Sequence, residues 1–285
     1  MKDRHFGTWE EAVDWLIAQP DQQELVRACY YDRPTIQAAE RFWKSDEWLA
    51  THHFLPSALG KALDVGAGCG IASFALAKDG WNVTALEPDG SNKVGAGSIK
   101  LLADISQLPI KVVQEFAERL PFDDATFDLI HARQVLHHAN DLTQFCNELY
   151  RVLKPGGTLI ATREHVISDA SQLELFRQKH PLHNLYGGEN AYTLPQYQNT
   201  LYAAGFQLLR VLAPFDSVIN FAPFTHETLR KALQQRMSRI PLGSLLGMII
   251  FNQWIFGLIM KVMSMVDRRP GRLYSFIAIR PESIK

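Results

Sequence analysis

The clearest chemical signal in the sequence is a glycine-rich turn, LDVGAGCG at residues 63–70. An apolar run ends at Val65, and a helical pattern begins near Ile71. Glycines at such a junction let the backbone approach a ligand closely and adopt positive φ. The helix N-terminus adds free N–H groups and the positive end of the helix dipole. The turn therefore indicates a ligand-binding loop, although three glycines alone also fit a tight structural turn.

The spacing of the glycines limits the kind of ligand. Gly66, Gly68 and Gly70 are separated by single residues, and Ile71 stands where a dinucleotide-binding fingerprint has its last glycine. This departure counts against a nicotinamide-dependent oxidoreductase, which remains an alternative. Glu87 ends the next β-rich run, and a carboxylate there can accept hydrogen bonds from both ribose hydroxyls of a nucleoside. The other interpretation of Glu87 is a solvated charge at a strand end.

Four further segments follow the glycine turn in order: LEP, AERLPFDDATFDLI, VLHH and LYRVLKPGGTLI. Together with the turn they resemble the class I S-adenosylmethionine-dependent methyltransferases, in particular the branch of quinone-biosynthesis and sterol methyltransferases. The resemblance covers roughly residues 61–165. It implies S-adenosylmethionine as the cofactor and methyl transfer as the activity.

The resemblance also implies roles for individual residues near the cofactor. These residues are Asp64, Gly66, Gly68, Gly70, Glu87, Pro88, Ala117 and Glu118. Asp64 would position the loop and meet the amino group of the methionine part, and Glu87 would bind the ribose hydroxyls. Pro88 would border the adenine, and Ala117 and Glu118 would offer backbone groups to its edge. The sequence departs from the family at Phe116, where an aspartate often binds the adenine amino group.

The end of the fourth strand, HARQVLHH, faces the transferred methyl group in this family. Arg133, Gln134 and His138 are therefore expected to line the cofactor site. A hydroxyl acceptor would need a general base, and histidine suits that role near neutral pH. His165 is the first candidate and His137 the second. Packing is the alternative interpretation of these histidines, and an enzyme that works by alignment alone needs no base.

A polar stretch between the fifth and sixth predicted strands is a candidate for acceptor recognition. Tyr186, Glu189 and Tyr192 lie in it and can contact a polar acceptor such as a sugar. His180 and His183 also lie there, but one histidine pair without nearby carboxylates is a weak metal signal. The sequence contains no CxxC, HExxH or Cys/His cluster either. We therefore expect no metal.

The alternation of strands and helices from Lys61 onward predicts an α/β fold with a mainly parallel sheet. The resemblance makes this a Rossmann-like sheet of seven strands with helices on both faces and an antiparallel last strand. The predicted organisation is a helical cap at 1–58 and a methyltransferase domain at 59–285. An apolar helical insertion at 216–272 precedes the last strand.

Composition excludes several classes of protein. The chain has 29 Lys+Arg and 30 Asp+Glu, so its net charge of −1 gives no basic surface for nucleic acid. Three distant cysteines indicate neither a disulfide framework nor a zinc site, which fits a reducing compartment. The first residues are charged and lack the apolar core of a signal peptide. A cytoplasmic protein is the resulting expectation.

One uncharged segment between Arg239 and Lys261 approaches the length of a membrane-spanning helix, about 20 residues. The strands predicted at 206–215 and 273–281 must share one sheet, so a single crossing between them is excluded. A helical cap, a peripheral membrane contact through 240–272 and an oligomer contact remain alternatives.

The three arginines Arg268, Arg269 and Arg272 near this segment fit the membrane-surface alternative. The acceptor is then predicted to be a small, glycan-linked or lipid-linked amphipathic molecule. The alternative function is a catalytically silent domain that binds S-adenosylmethionine as a partner or sensor. The sequence does not predict the oligomeric state.

Overall fold

One mixed sheet is built from the apolar runs that begin at Lys61. The computed structural model describes residues 6–237 and 252–282. The strands are β1 (Lys61–Val65), β2 (Asn82–Leu86), β3 (Ile110–Val113), β4 (Phe127–Arg133), β5 (Leu153–Ile167), β6 (Tyr192–Thr193), β7 (Gln207–Leu212) and β8 (Arg272–Ile279). Their order is β3-β2-β1-β4-β5-β8-β7, and the short β6 pairs with β5 off this path.

Strand directions confirm the predicted α/β architecture. β1 to β5 are parallel to one another, whereas β8 is antiparallel to both β5 and β7. The seven predicted strands are all present, and the two-residue β6 is an eighth that the sequence did not indicate. The carboxyl ends of β1, β2, β4 and β5 meet at one edge of the sheet, where an open α/β sheet binds its ligands.

Helices cover both faces of the sheet and the edge at the carboxyl ends. They are α1 (Trp9–Ile17), α2 (Gln23–Ala28), α3 (Thr35–Trp43), α4 (Asp46–His52), α5 (Ile71–Lys78), α6 (Ala96–Ser106), α7 (Leu142–Val152), α8 (Gln172–Lys179), α9 (Leu194–Ala203), α10 (Val218–Phe221), α11 (His226–Met237) and α12 (Gln253–Val266).

Two of the N-terminal helices, α1 and α4, begin at polar caps. At the start of α1, Thr8 accepts the Glu11 N–H while the Glu11 carboxylate accepts the Thr8 N–H, so Thr8 is the N-cap. The helical pattern at 35–50 proves to be two helices, α3 and α4. The break occurs because Ser45 caps α4 by accepting the Trp48 N–H.

These helices pack in two different places. Phe42 of α3 and Trp48 of α4 are buried against Phe74 of α5, so both helices belong to a layer on the sheet. α1 instead packs through Leu16 onto Leu185 of the segment between α8 and β6. Together α1 and that segment cover the edge at the carboxyl ends. The 1–58 boundary of a separate cap stays a prediction.

The apolar insertion is helical where it is described. Phe256 and Met260 of α12 are buried against Val218 and Phe221 of α10. Residues 238–251 of the predicted insertion lie outside the described residues. Among the residues that are described, no helix is long and apolar enough to cross a membrane.

The three arginines after α12 do not share one environment. Arg268 and Arg269 are exposed, and Arg269 pairs with Asp267 at 2.7 Å. Arg272 is only 8% exposed, and its guanidinium donates to the Arg269 carbonyl at 3.3 Å. The prediction of a membrane-facing role is therefore wrong for Arg272, because it lies at the start of β8 inside the sheet.

Candidate cofactor and acceptor site

The turn between β1 and α5 uses its three glycines for different physical reasons. Gly66, Gly68 and Gly70 have φ of 61°, 54° and 84°, which side chains rarely adopt. A Cβ on Gly66 would lie 2.2 Å from Val135, and one on Gly70 would lie 3.2 Å from Ile99. A Cβ on Gly68 would meet nothing within 4 Å. Gly68 is therefore the glycine whose face is open to a ligand.

A buried carboxylate lies beside this open face. The Gly68 N–H donates to Glu87 Oε2 at 2.7 Å, and the Asp89 N–H donates to Glu87 Oε1 at 3.0 Å. Glu87 is 8% exposed, and burial raises its pKa above the ordinary value. Each oxygen keeps a lone pair for another donor. This geometry fits a pair of ribose hydroxyls next to the glycine turn.

Asp64 fixes the turn from below. Its Oδ1 pairs with His131 Nδ1 at 2.9 Å, and its Oδ2 accepts the Ser73 hydroxyl at 2.6 Å. These bonds join β1 to β4 and to α5. Asp64 is 1% exposed, so the geometry fits the predicted positioning role and leaves little room for direct contact with a ligand.

His137, the second candidate base, is held between two carboxylates. Its Nδ1 lies 2.7 Å from Glu164 Oε2 and its Nε2 lies 3.5 Å from Glu189 Oε2. Burial lowers the pKa of His137, but the Glu164 and Glu189 carboxylates outweigh it and raise the pKa to about 9. His137 is therefore protonated at neutral pH and has no lone pair to take a proton.

His165, the first candidate base, has the opposite charge state. Its ring lies edge-on to His137, with centroids 4.7 Å apart. Its Nδ1 lies 2.9 Å from the Gly271 carbonyl, which only accepts, so Nδ1 carries the hydrogen and Nε2 keeps a lone pair. Burial and the neighbouring His137 charge hold the pKa of His165 well below its usual value.

The segment between α8 and β6 brings a third ionisable group to these histidines. Glu189 is 8% exposed, and its Oε1 lies 3.7 Å from His180 Nδ1. Burial raises the pKa of Glu189, but His137, His180 and His138 together lower it to about 2. His138, predicted to line the cofactor site, lies at the rim with Nδ1 3.3 Å from the Gly188 carbonyl.

A family comparison agrees with this arrangement. The model described as methyltransferase domain matches residues 63–161, from the glycine turn to β5. This match covers about a third of the chain and supports a class I S-adenosylmethionine-dependent methyltransferase domain there. The match supports S-adenosylmethionine as the cofactor. Placement of its ribose at the open face of Gly68 beside Glu87 stays a prediction. The nicotinamide alternative loses its support.

Curated relatives include enzymes of sterol and quinone metabolism. A sterol 24-C-methyltransferase from Gibberella zeae is 27% identical over 229 residues, which are 72% of this chain and 59% of that enzyme. A 2-methyl-6-phytyl-1,4-hydroquinone methyltransferase from Synechocystis is 35% identical over 101 residues, 34% of this chain and 30% of that enzyme. This methyltransferase chain thus spans less than two thirds of either relative.

Two solved structures share the fold. Geranyl diphosphate C-methyltransferase from Streptomyces coelicolor, in complex with Mg²⁺, geranyl diphosphate and S-adenosylhomocysteine, aligns with a TM-score of 0.59 at 13% identity, covering 93% of this chain and 87% of that one. A Haemonchus contortus phosphoethanolamine N-methyltransferase with S-adenosylhomocysteine aligns at 0.56 and 18% identity, covering 90% and 59%. At these identities the likeness establishes the methyltransferase fold alone.

Part of the segment predicted to border the adenine makes contacts within the protein instead. Pro88 is exposed after Glu87, and Ala117 packs against the main core. The Glu118 carboxylate accepts the Asn140 N–H at 3.0 Å, so that side chain holds a neighbouring loop. Phe116 is 63% exposed. Contact between the adenine and the backbone of Ala117 and Glu118 stays a prediction.

Arg133 is committed to an ion pair with α4. Its Nε and Nη2 donate to the two oxygens of Glu47 at 2.7 and 3.2 Å, and its Nη1 donates to Gln134 at 3.0 Å. Burial raises the pKa of Glu47, but Arg133 and Arg163 outweigh it and lower the pKa. Arg133 therefore attaches α4 to the end of β4, and Gln134 accepts a hydrogen bond from the same guanidinium. Their predicted role as cofactor lining stays a prediction.

Two buried glutamates, Glu47 and Glu164, support this site. Nothing in the sequence indicated Glu47, and the resemblance implied only that Glu164 lies among substrate-facing residues after the fifth strand, without its partners. Glu164 is 0% exposed and accepts the N–H groups of Val135 and Leu136 at 3.2 Å, besides bonding His137. A signal for Glu164 was present, because the run Arg-Glu-His lies in the buried second half of β5. A charged run in a buried strand indicates specific partners.

The polar residues proposed to recognise a sugar are placed differently from one another. Tyr186 packs on Trp9, with ring centroids 5.7 Å apart. The Tyr192 hydroxyl donates to the Ala139 carbonyl at 2.7 Å. Only Glu189 joins the histidines, so the structure gives a sugar acceptor little specific support.

Proposed function

We propose that this chain transfers a methyl group from S-adenosylmethionine to a small apolar or amphipathic acceptor. The observation that carries the proposal is the pairing of the Glu87 carboxylate with the open face of Gly68 at the sheet edge. The ionisable groups at the ends of β4 and β5 lie at the same edge. Two relatives are named for a sterol and a phytyl hydroquinone, which supports an apolar acceptor.

The protein would contribute mainly alignment. S-adenosylmethionine supplies a methyl group on a positively charged sulfur, which a nucleophile displaces in line, so holding the two reactants in position can provide much of the rate. The glycine turn and Glu87 would orient the nucleoside. α1 and the segment around Leu185 lie over the edge and would exclude water.

A hydroxyl acceptor would also have to lose a proton. His165 is our candidate because its Nδ1 is tied to the Gly271 carbonyl and its Nε2 lone pair is left for the acceptor. His137 is unsuited because both of its nitrogens face carboxylates. A carbon acceptor with an electron-rich double bond attacks the methyl group directly. For such an acceptor the main requirement would be alignment with the methyl group rather than a base.

The exposed face of α12 supports an amphipathic or lipid-linked acceptor. Trp254, Leu258, Val262 and Met265 recur at helical spacing and are 81%, 62%, 49% and 72% exposed. Exposed Arg268 follows the helix. An apolar stripe beside a cation suits the interface of an anionic membrane. We propose that α12 gives this methyltransferase peripheral contact with the membrane that carries its acceptor.

Calorimetric titration with S-adenosylhomocysteine, S-adenosylmethionine and NAD tests the cofactor assignment. We expect one equivalent of either sulfur nucleoside to bind and NAD not to bind. Glu87→Gln should weaken binding about tenfold or more, since charge-assisted hydrogen bonds to the ribose are lost. Asp104→Asn, on exposed α6, is the matched control. Unchanged affinity in Glu87→Gln, with its thermal unfolding intact, would place the cofactor elsewhere.

The same titration should depend on pH through Glu87. The ionised carboxylate is the stronger acceptor for ribose hydroxyls, and burial raises its pKa above the ordinary value, with smaller contributions from Asp89 and Asp64. Affinity is therefore full above that raised pKa and declines as the pH falls through it. Glu87→Gln should remove this decline. A decline of equal size in the variant would assign the pH dependence to another group.

A further inference from the structure

Three buried side chains converge at the carboxyl ends of β4 and β5. His137, His165 and Glu189 each offer one ligand atom, and these atoms all lie within 4.8 Å of one another. The three residues are 1%, 7% and 8% exposed. Two imidazoles and one carboxylate form the donor set of many catalytic zinc and non-haem iron centres.

The separation of the donors suits a small ion. His137 Nε2 and Glu189 Oε2 are 3.5 Å apart. Zinc binds nitrogen and oxygen at about 2.0–2.2 Å, and a tetrahedral arrangement then puts neighbouring ligand atoms about 3.4 Å apart. The pair is thus already spaced as two ligands of one ion. The same 3.5 Å is long for a hydrogen bond between these two atoms.

The far sides of both rings are held in the way that metal-bound histidines are held. His137 Nδ1 lies 2.7 Å from Glu164 Oε2, and His165 Nδ1 lies 2.9 Å from the Gly271 carbonyl. Such partners fix the orientation of a ring and direct its other nitrogen at the ion. Glu164 is itself fixed by the N–H groups of the turn after β4. Both Nε2 atoms are therefore oriented before any ion arrives. His137 is protonated at neutral pH without metal, so it would release its Nε2 proton to solvent when the ion binds.

Glu189 shows an unmet requirement. Among the described residues its buried Oε2 accepts no well-formed hydrogen bond and has only long ion-pair contacts, with His137 Nε2 at 3.5 Å and His138 Nε2 at 4.0 Å. A buried carboxylate oxygen without a donor is costly, and native structures seldom leave one. A cation between Oε2 and the two imidazoles would satisfy it.

We propose that His137, His165 and Glu189 bind one divalent transition-metal ion, with Zn²⁺ the best match. Imidazole nitrogen favours zinc, iron, cobalt and nickel, whereas magnesium and calcium prefer all-oxygen sites. Three protein ligands leave at least one coordination position for water or an acceptor oxygen. The site goes beyond the proposed methyl transfer, and its binding test does not require that activity.

His165 Nε2 cannot bind a metal ion and act as the general base at the same time. A metal bound to His165 Nε2 occupies the lone pair that would otherwise take a proton from the acceptor. In the metal-bound protein His165 would be a ligand, and a metal-bound acceptor oxygen would lose its proton more easily. Measuring metal binding therefore also decides which role His165 can have.

The test uses tag-free protein freed of metal with a chelator and then titrated with Zn²⁺ and, separately, Mg²⁺. We expect one equivalent of Zn²⁺ to bind, no comparable binding of Mg²⁺, and a rise in unfolding temperature with Zn²⁺. Co²⁺ in place of Zn²⁺ should give the visible absorption of a four- or five-coordinate ion. The cofactor titration on the same sample reports separately whether the nucleoside site is intact.

Substitutions locate the ion. Glu189→Gln should weaken Zn²⁺ binding by more than about tenfold, and Glu164→Gln by about 10–100-fold, the usual effect of losing an outer partner. Glu174→Gln on exposed α8 is the matched control and should bind as the wild type does. Absence of a stoichiometric Zn²⁺ site in the wild type would overturn the proposal. Equal Zn²⁺ affinity in wild type and Glu189→Gln would overturn it too.

Discussion

At the scale of single residues, the glycine turn separates packing from ligand access. At Gly66 the space that a side chain would need is filled by Val135. At Gly68 that space is open and lies beside Glu87. Both have positive φ, which costs another residue about 1–2 kcal/mol. The same substitution at the two positions should therefore have different consequences.

We predict that Gly68→Ala folds with a loss of about 1–2 kcal/mol but binds S-adenosylhomocysteine at least about tenfold more weakly. Gly66→Ala should lose about 1–3 kcal/mol more, because its Cβ would lie 2.2 Å from Val135. Denaturant unfolding and calorimetry measure the two effects. Val135→Ala should recover part of the stability of Gly66→Ala and none of the affinity of Gly68→Ala. Equal destabilisation by both alanines would contradict this division.

At the scale of elements, α4 is attached to the end of β4 by a buried ion pair. The side chains of Glu47 and Arg133 are 3% and 13% exposed and join in a two-point contact. Arg163 Nε also lies 3.8 Å from Glu47 Oε1. Arg163 also donates to the Ile219 and Ala222 carbonyls. Removing the charge of Glu47 would leave Arg133 and Arg163 as buried cations without their counter-charge, which is more costly than losing the whole pair.

Glu47→Gln is accordingly predicted to lower the free energy of unfolding by about 3–5 kcal/mol, against no measurable change for the exposed Glu40→Gln. The double variant Glu47→Gln/Arg133→Met should be more stable than Glu47→Gln alone. The folded-state pKa of Glu47 lies below its usual value, so its stabilisation exists above the unfolded pKa and is lost as the pH falls through the folded one. Denaturation of the three variants over an acidic pH series measures both effects; a loss below about 1 kcal/mol would mean that solvent replaces the pair.

Most of the fold could be predicted from local patterns in the sequence. The seven predicted strands follow from apolar runs whose residues lie within a few positions of one another. The short β6 could not be predicted, because two residues have no period. Only part of the site could be predicted from the sequence. The glycine turn and Glu87 are close in sequence, whereas Glu189 contacts His137 across about fifty residues through tertiary packing. Such convergence leaves no spacing pattern, so no metal was expected.

At the scale of the whole molecule, α12 has two distinct faces. Phe256 and Met260 pack against α10, and the opposite side exposes Trp254, Leu258 and Met265. An exposed apolar stripe of this kind costs solubility unless a surface covers it. Its buried side joins the sheet through α10, so a membrane bound to the stripe would hold the catalytic domain at the interface. An amphipathic acceptor could then reach the site without leaving its membrane.

We predict that the protein binds anionic phospholipid vesicles and that Trp254→Ser/Leu258→Ser weakens this binding by at least about tenfold. Burying each large apolar side chain in the interface contributes about 1.5–3 kcal/mol, and the nearby cation Arg268 adds about 1 kcal/mol at an anionic surface. Vesicle sedimentation and the Trp fluorescence shift measure the association. Tyr202→Ser/Leu209→Ser, at positions 54% and 46% exposed in α9 and β7, is the control. Equal vesicle binding by the two double variants would mean that α12 does not contact the membrane. If the wild type does not bind vesicles, an oligomer interface would explain the exposed apolar stripe.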